Sequence, residues 1–114
     1  MIPFELSDLP HTWFIDLDGT VLDHNAHLRD GDRLLPGVIE FWSTIPAHDY
    51  IVITTGRSDQ YRKSTLALLQ KNGLRYNFAL FNLPTGERII INDTKPAGLK
   101  TAIAWNVVRN KGFL

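Results

Sequence analysis

Short apolar runs along the chain break off into polar turns at regular intervals, a pattern that predicts strands alternating with helices. Thr12 to Leu17 is apolar and stops abruptly at Asp18, Gly19 and Thr20, as a buried strand does when it enters a turn. Leu22 to Arg33 is polar and without period, a loop or small flap. Pro36 suits a first helical position, and Val38, Ile39, Phe41, Trp42 and Ile45 then form a helical apolar face that Pro46 ends. Tyr50 to Thr54 is β-branched and closed by Gly56, which predicts a second buried strand. Ser58 can cap a following helix with Asp59 and Gln60 in its first turn, Tyr61, Leu66 and Leu69 on its apolar side, and Asn72 and Gly73 at its end.

Phe78 to Phe81 and Arg88 to Ile91 read as two further strands around a turn at Leu83, Pro84, Thr85 and Gly86, the second ending at Asn92 and Asp93. Thr101 to Val108 is either a strand with Ile103, Trp105 and Val107 on one face or a helix started by Pro96, and alternation favours the strand. Strands alternating with helices predict an α/β three-layer sandwich with a mostly parallel, Rossmann-like sheet, a fold that gathers ligands at the carboxyl ends of its strands. Three strands would bring polar groups there: Asp16 and Asp18, then Thr54 and Thr55, then Asn92 and Asp93.

The length of 114 residues allows one domain and one core. The 12 basic and 12 acidic residues cancel, so no overall field steers the protein toward nucleic acid or an anionic membrane. The absence of cysteine removes disulfides, thiolate metal sites and a cysteine nucleophile. The opening MIPFELSDLPHTW carries acids and prolines where a secretory signal needs a basic start and an unbroken apolar stretch, so cytoplasm is the expected address.

Two carboxylates two residues apart at a strand end repel each other unless a cation or a proton relieves them. Magnesium is the natural cation, because it favours oxygen ligands and takes one or two carboxylates together with substrate phosphate, which Asp16, Asp18 and Asp93 could supply. Carboxylates also act as nucleophiles in enzymes that form aspartyl-phosphates. Thr55 and Gly56, at the entry to a helix, suit phosphate oxygens.

The run FIDLDGTVLD resembles the DxDGT signature of the haloacid dehalogenase superfamily, VITTGR resembles its second motif and INDTKP its fourth, over residues 12 to 96. The resemblance implies a magnesium-dependent phosphomonoester hydrolase in which Asp16 attacks phosphorus and becomes an aspartyl-phosphate. Asp18 would protonate the leaving oxygen and then activate water. Metal ligands would be the Asp16 side chain, the Asp18 carbonyl and Asp93. Thr55 and the Gly56 amide would hold a phosphoryl oxygen, and Arg57 phosphate or substrate.

Two positions depart from the family pattern. Asn92 stands where an aspartate is common, and the third-motif lysine has no counterpart before Ile89. Lys95 could reach the same point, whereas Arg88 and Lys71, at the far ends of their elements, would lie roughly 15 Å away. With only Leu22 to Arg33 available as a cap, this would be a single capless domain, covered by a large substrate or by a homo-oligomer. A sugar phosphate, a nucleotide or a polynucleotide end would serve as substrate, and TGR is similar to the second motif of polynucleotide phosphatase domains. The alternative is an inactive module of the same fold that binds a phosphorylated ligand or a partner. A calcium-binding loop and a receiver domain fit less well, since glycine is fourth in DxDG and Asn82 ends the third strand. His24 and His27 lack a third ligand for zinc and read as solvated flap residues.

Overall fold

A computed structural model describes residues 2–113. Strand β1 (Thr12–Asp16) is followed by helix α1 (Val38–Ser43), strand β2 (Tyr50–Thr54), helix α2 (Arg62–Lys71) and strand β3 (Phe78–Leu80). The three strands form one parallel sheet in the order β1-β2-β3, so the chain is an α/β domain with helical crossovers between parallel strands. Single 3₁₀ turns at Ala26–Leu28 and Asp59–Tyr61 complete the regular structure.

Alternation assigns the two sheet faces. Ile15, Ile51, Ile53 and Ala79 point inward and are buried. On that face α1 contributes Val38, Phe41 and Trp42, spaced i, i+3, i+4, and α2 contributes Leu69. Both helices thus feed one core. Trp42 is fixed further by its indole N–H, which donates to the Arg75 carbonyl at 2.9 Å. From the tail, Phe113 stacks on Phe41 with centroids 4.4 Å apart, and Trp105 meets both edge-on. On the opposite face, the row Phe14, Val52 and Phe78 runs across the sheet in register, with Val52 buried between Phe14 and Phe78, each 55% exposed.

Helix α2 ends where Asn72 and Gly73 predict. Gly73 has φ +70°, and the Leu74 amide reaches back to the Leu69 carbonyl at 2.9 Å. Its start departs from the sequence reading: Ser58 caps a 3₁₀ turn, and the α-helix begins at Arg62. Arg88 to Ile91 and Thr101 to Val108 are not strands in this structure. Their β-branched composition suits a ladder, but a ladder needs a neighbouring strand, and β1 keeps its outer edge free among the described residues.

At the amino end of the sheet, Asp49 is buried and accepts from the Trp13 indole at 2.9 Å and the His11 amide at 3.0 Å. Burial by itself would raise its pKa. The donors from Trp13 and His11 outweigh burial and hold the carboxyl below its ordinary 3.8. A carboxylate shifted down adds stability above 3.8 that is lost as pH falls through the native value. Asp49→Ala is expected to cost about 2–3 kcal/mol near neutral pH, by leaving two partly buried donors unpaired. Urea unfolding at pH 7 and pH 3 checks this: the deficit shrinks at the lower pH.

Candidate functional site

The site is built at the carboxyl end of β1. Asp16 is the last residue of the strand, and Leu17 to Leu22 then fold into a tight turn in which the amides of Thr20, Val21 and Leu22 all point to the Leu17 carbonyl at 2.8–3.0 Å. Gly19 enables this turn with φ +88°, and a Cβ there would lie 3.1 Å from the Arg109 side chain. Gly19→Ala is therefore expected to cost about 1–2 kcal/mol from left-handed backbone alone, read as a lowered urea midpoint with unchanged slope.

That turn sets the two acids in different surroundings. Asp16 shares the open sheet face with Thr54, its partner in register, and with Leu80 beyond. Its carboxylate is 35% exposed, accepts from the Thr20 hydroxyl at 3.0 Å and faces the Arg88 guanidinium at 3.4 Å. Burial is the largest influence on Asp16 and raises its pKa, and nearby Asp18 adds to the rise. Thr20 and Arg88 counter only in part.

Asp18 instead faces Arg57. The Nε and one terminal nitrogen of Arg57 bind its two oxygens at 3.0 and 2.9 Å. The other edge of the guanidinium binds both oxygens of Asp32 at 2.9 and 2.7 Å, and the fifth N–H donates to Thr65 of α2 at 2.9 Å. Every donor of the guanidinium is thereby used inside the protein. Burial would lower the pKa of Arg57, but the two carboxylates reverse that and hold it above its ordinary value. One buried cation thus ties the turn after β1, the flap, the end of β2 and α2 together.

His27 belongs to the same cluster, contrary to the solvated position expected for it. Its side chain is 10% exposed, Nδ1 lies 3.8 Å from an Asp18 oxygen without a hydrogen-bond partner, and its ring meets Tyr61 edge-on at 4.7 Å. Burial first, and Arg57 second, lower its pKa below 6.5, so it is neutral at pH 7. Two carboxylates and a guanidinium drew the flap inward, which a polar run without period does not signal. Asp32, equally central, carried no mark in the sequence beyond being acidic.

The remaining sequence-derived residues are distributed unevenly. Thr55 is fully buried, and its hydroxyl accepts from the Arg57 amide at 3.0 Å. Thr54 is buried in register with Asp16. Gly56 is exposed beside them. Asn92, Asp93 and Lys95 lie in an exposed arm: the Asn92 amide donates to the Thr101 hydroxyl at 2.8 Å, that hydroxyl donates to the Asp93 carbonyl at 2.6 Å, and the Lys95 amide donates to the Leu99 carbonyl at 2.8 Å. Arg88, expected to lie too far away, is the cation at Asp16, because Arg88 to Ile91 is not a strand running along the sheet.

One ligand atom each from Asp18, His27 and Asp32 lies within 4.8 Å of the others, so this group could hold a metal ion. An imidazole between two carboxylates suits a transition ion better than magnesium. The oxygens of both carboxylates already face Arg57, so a divalent ion there would meet a fixed positive charge. The donor chemistry of Asp16, half-exposed and all oxygen, fits magnesium better.

No family model and no curated protein matches the chain. Its fold is similar to one chain of the solved Pnkp1/Rnl/Hen1 complex, with 26% identity and a TM-score of 0.54 over 73% of this chain and 31% of that one. The chain spans about a third of the length of that relative. Among the described residues, no helix is long and apolar enough to cross a membrane.

Proposed function

We propose that this domain hydrolyses phosphomonoesters in the manner of the haloacid dehalogenase superfamily, with Asp16 as the nucleophile. The observation that carries the reading is the division of labour between two acids one turn apart. Asp16 is accessible, oriented by Thr20 and offset by Arg88, while Asp18 is held by a buried guanidinium. A nucleophilic carboxylate needs an open line to phosphorus and a neighbouring cation to receive the phosphoryl oxygens, and Asp16 has both.

In the proposed reaction Asp16 attacks phosphorus in line, the bond to the leaving oxygen breaks, and Asp18 gives that oxygen its proton. Water then attacks the aspartyl-phosphate, with Asp18 taking its proton, and inorganic phosphate leaves. Arg88 stabilises charge on the transferring group, in the place that Lys95 was expected to fill. Arg57 positions Asp18 and closes the flap over it. Magnesium would be held by the Asp16 carboxylate and the Asp18 carbonyl, with Asp93 as third ligand, and supplies charge neutralisation for the phosphoryl oxygens when bound. The substrate is a sugar phosphate, a nucleotide or a phosphorylated polynucleotide end. Similarity to a chain of the Pnkp1/Rnl/Hen1 complex supports the last of these.

One observation favours a second reading. Asp18 is engaged through both oxygens by Arg57, which ties both of them inside the protein and opposes a role as proton donor to a leaving oxygen. In that case the domain binds a phosphorylated ligand or a partner without turnover. Phosphate release from an aryl phosphate, then from sugar, nucleotide and polynucleotide phosphates, decides between them. Release that requires magnesium and stops with chelator supports the enzyme. No release across the panel by folded protein, with retained binding of a phosphorylated ligand, supports the module.

A further inference from the structure

Residues 84–100 are all exposed, and among the described residues no backbone hydrogen bond joins 85–92 or 102–107 to anything else. Yet this arm carries the two most exposed large apolar side chains of the described chain, Ile91 at 92% and Ile89 at 83%. At its tip an antiparallel bridge joins Thr94 to Lys100. Continuing that register sets Ile91 opposite Ile103, and both then share a side with Ile89. A ribbon formed in this way carries the three isoleucines along one side, with Asp93 and Thr101 toward its tip and Trp105, anchored on Phe41 and Phe113 of its own core, at its base.

The same molecule displays a surface of matching kind. Phe14 and Phe78, each 55% exposed, flank Val52 on the open sheet face, and Tyr50 is 47% exposed beside them. Parallel sheets are covered on both faces in almost every fold that contains them, so this face lacks its cover. Beyond Arg88, whose guanidinium meets Asp16, the arm does not supply it within one copy, since every residue from 84 to 100 is exposed. The Cα radius of gyration is 14.7 Å and the long axis 49 Å against 28 and 25 Å, whereas a compact chain of this length has a radius of roughly 13 Å.

We infer that the occupant of the open face is the arm of a second copy of this chain, exchanged reciprocally in a two-fold dimer. Docking orders residues 90–104 into a two-stranded ribbon, with Arg88 and Trp105 staying on their own copy at its base, and lays Ile89, Ile91 and Ile103 over Tyr50, Phe14 and Phe78 of the other copy, around the already buried Val52. At about 100 Å² of exposed surface per large apolar side chain, the groups on arm and face account for about 600 Å² per copy, most of the roughly 800 Å² per partner of a standard interface. The isologous geometry closes the assembly at two, because each copy contributes one arm and one face. A zero net charge adds no long-range repulsion between copies. If the phosphatase reading holds as well, the arm is also the segment that carries Asp93 and Lys95, and Asp16 lies in the row next to Phe14 on the face it covers. The dimer itself does not depend on that reading.

The test is the solution mass of the wild type, Ile91→Asp and Phe14→Asp by light scattering at micromolar concentration, with circular dichroism to confirm folding and Ile89→Asp as a second arm variant. Expected are twice the 13.0 kDa chain mass for the wild type and a single chain mass for each variant. Mixing Ile91→Asp with Phe14→Asp is expected to restore a mixed dimer, since one intact arm then meets one intact face. A monomeric wild type overturns the inference, with the arm closing on its own sheet or awaiting a different protein. So does a dimer that survives both arm variants, or one that the mixture fails to restore. None of these readings involves phosphate release, so the dimer and the activity fail separately.

Discussion

Asp16→Asn is expected to abolish phosphate release, by a factor on the order of 10⁴ or more, while leaving the protein at least as stable as the wild type. The first half follows from chemistry: an amide oxygen cannot form the acyl-phosphate bond that the proposed mechanism requires. The second follows from electrostatics. Burial raises the pKa of Asp16 above its ordinary 3.8, and Asp18 adds to that. A carboxyl whose native pKa is raised binds protons more tightly when folded, so folding is favoured below the native value, and that advantage is lost as pH rises from 3.8 through it. At neutral pH the charged side chain is therefore a burden on the fold. Asparagine removes the burden and still accepts from Thr20. Thermal unfolding at pH 7 should give an equal or higher midpoint, and the difference should shrink on acidification. A marked loss of stability would mean that the ion pair with Arg88 outweighs burial.

The second large effect belongs to Arg57. Its guanidinium is the meeting point of Asp18, Asp32 and Thr65, and its side chain is 1% exposed. Arg57→Ala leaves two poorly solvated carboxylates facing each other with no cation between them, and is expected to cost about 3–5 kcal/mol. Against a typical total of about 5–15 kcal/mol, that is a large part of the fold's stability. Arg57→Lys is expected to recover little, because a lysine has three donors and no planar fork, and four carboxylate oxygens are in play. Urea unfolding measures both. If Arg57 instead served mainly to hold a substrate phosphate, both variants would lose activity with little change in the unfolding midpoint.

Periodicity and turn chemistry made much of this fold legible. The breaks at Asp18 to Thr20, Gly56 and Asn72 to Gly73 mark the ends of β1, β2 and α2 because each places a polar or flexible residue where a hydrogen-bonded run must stop. The DGT run likewise placed two acids at the end of a buried strand, and the turn that orients them is local, held within six residues and dependent on one glycine. Arg88 to Ile91 shows the opposite case. Its isoleucines are strand formers, but a strand is a relation between segments, and composition names no partner.

What the sequence determined by itself, then, is what short-range physics controls: the alternation of strands and helices, the inward residues of the core, the turn at Gly19 and the position of Asp16. Tertiary structure alone decided how the charges are paired. Asp18, Asp32 and Arg57 are 14 and 25 residues apart along the chain, and nothing local to any of them says that one guanidinium will satisfy both carboxylates. The same holds for His27, drawn beside Asp18, and for Arg88 at Asp16. Charge pairing over such separations is settled by the packing of elements that bring the groups within a few ångströms, where Coulomb attraction and the cost of burying an unpaired charge become large enough to choose.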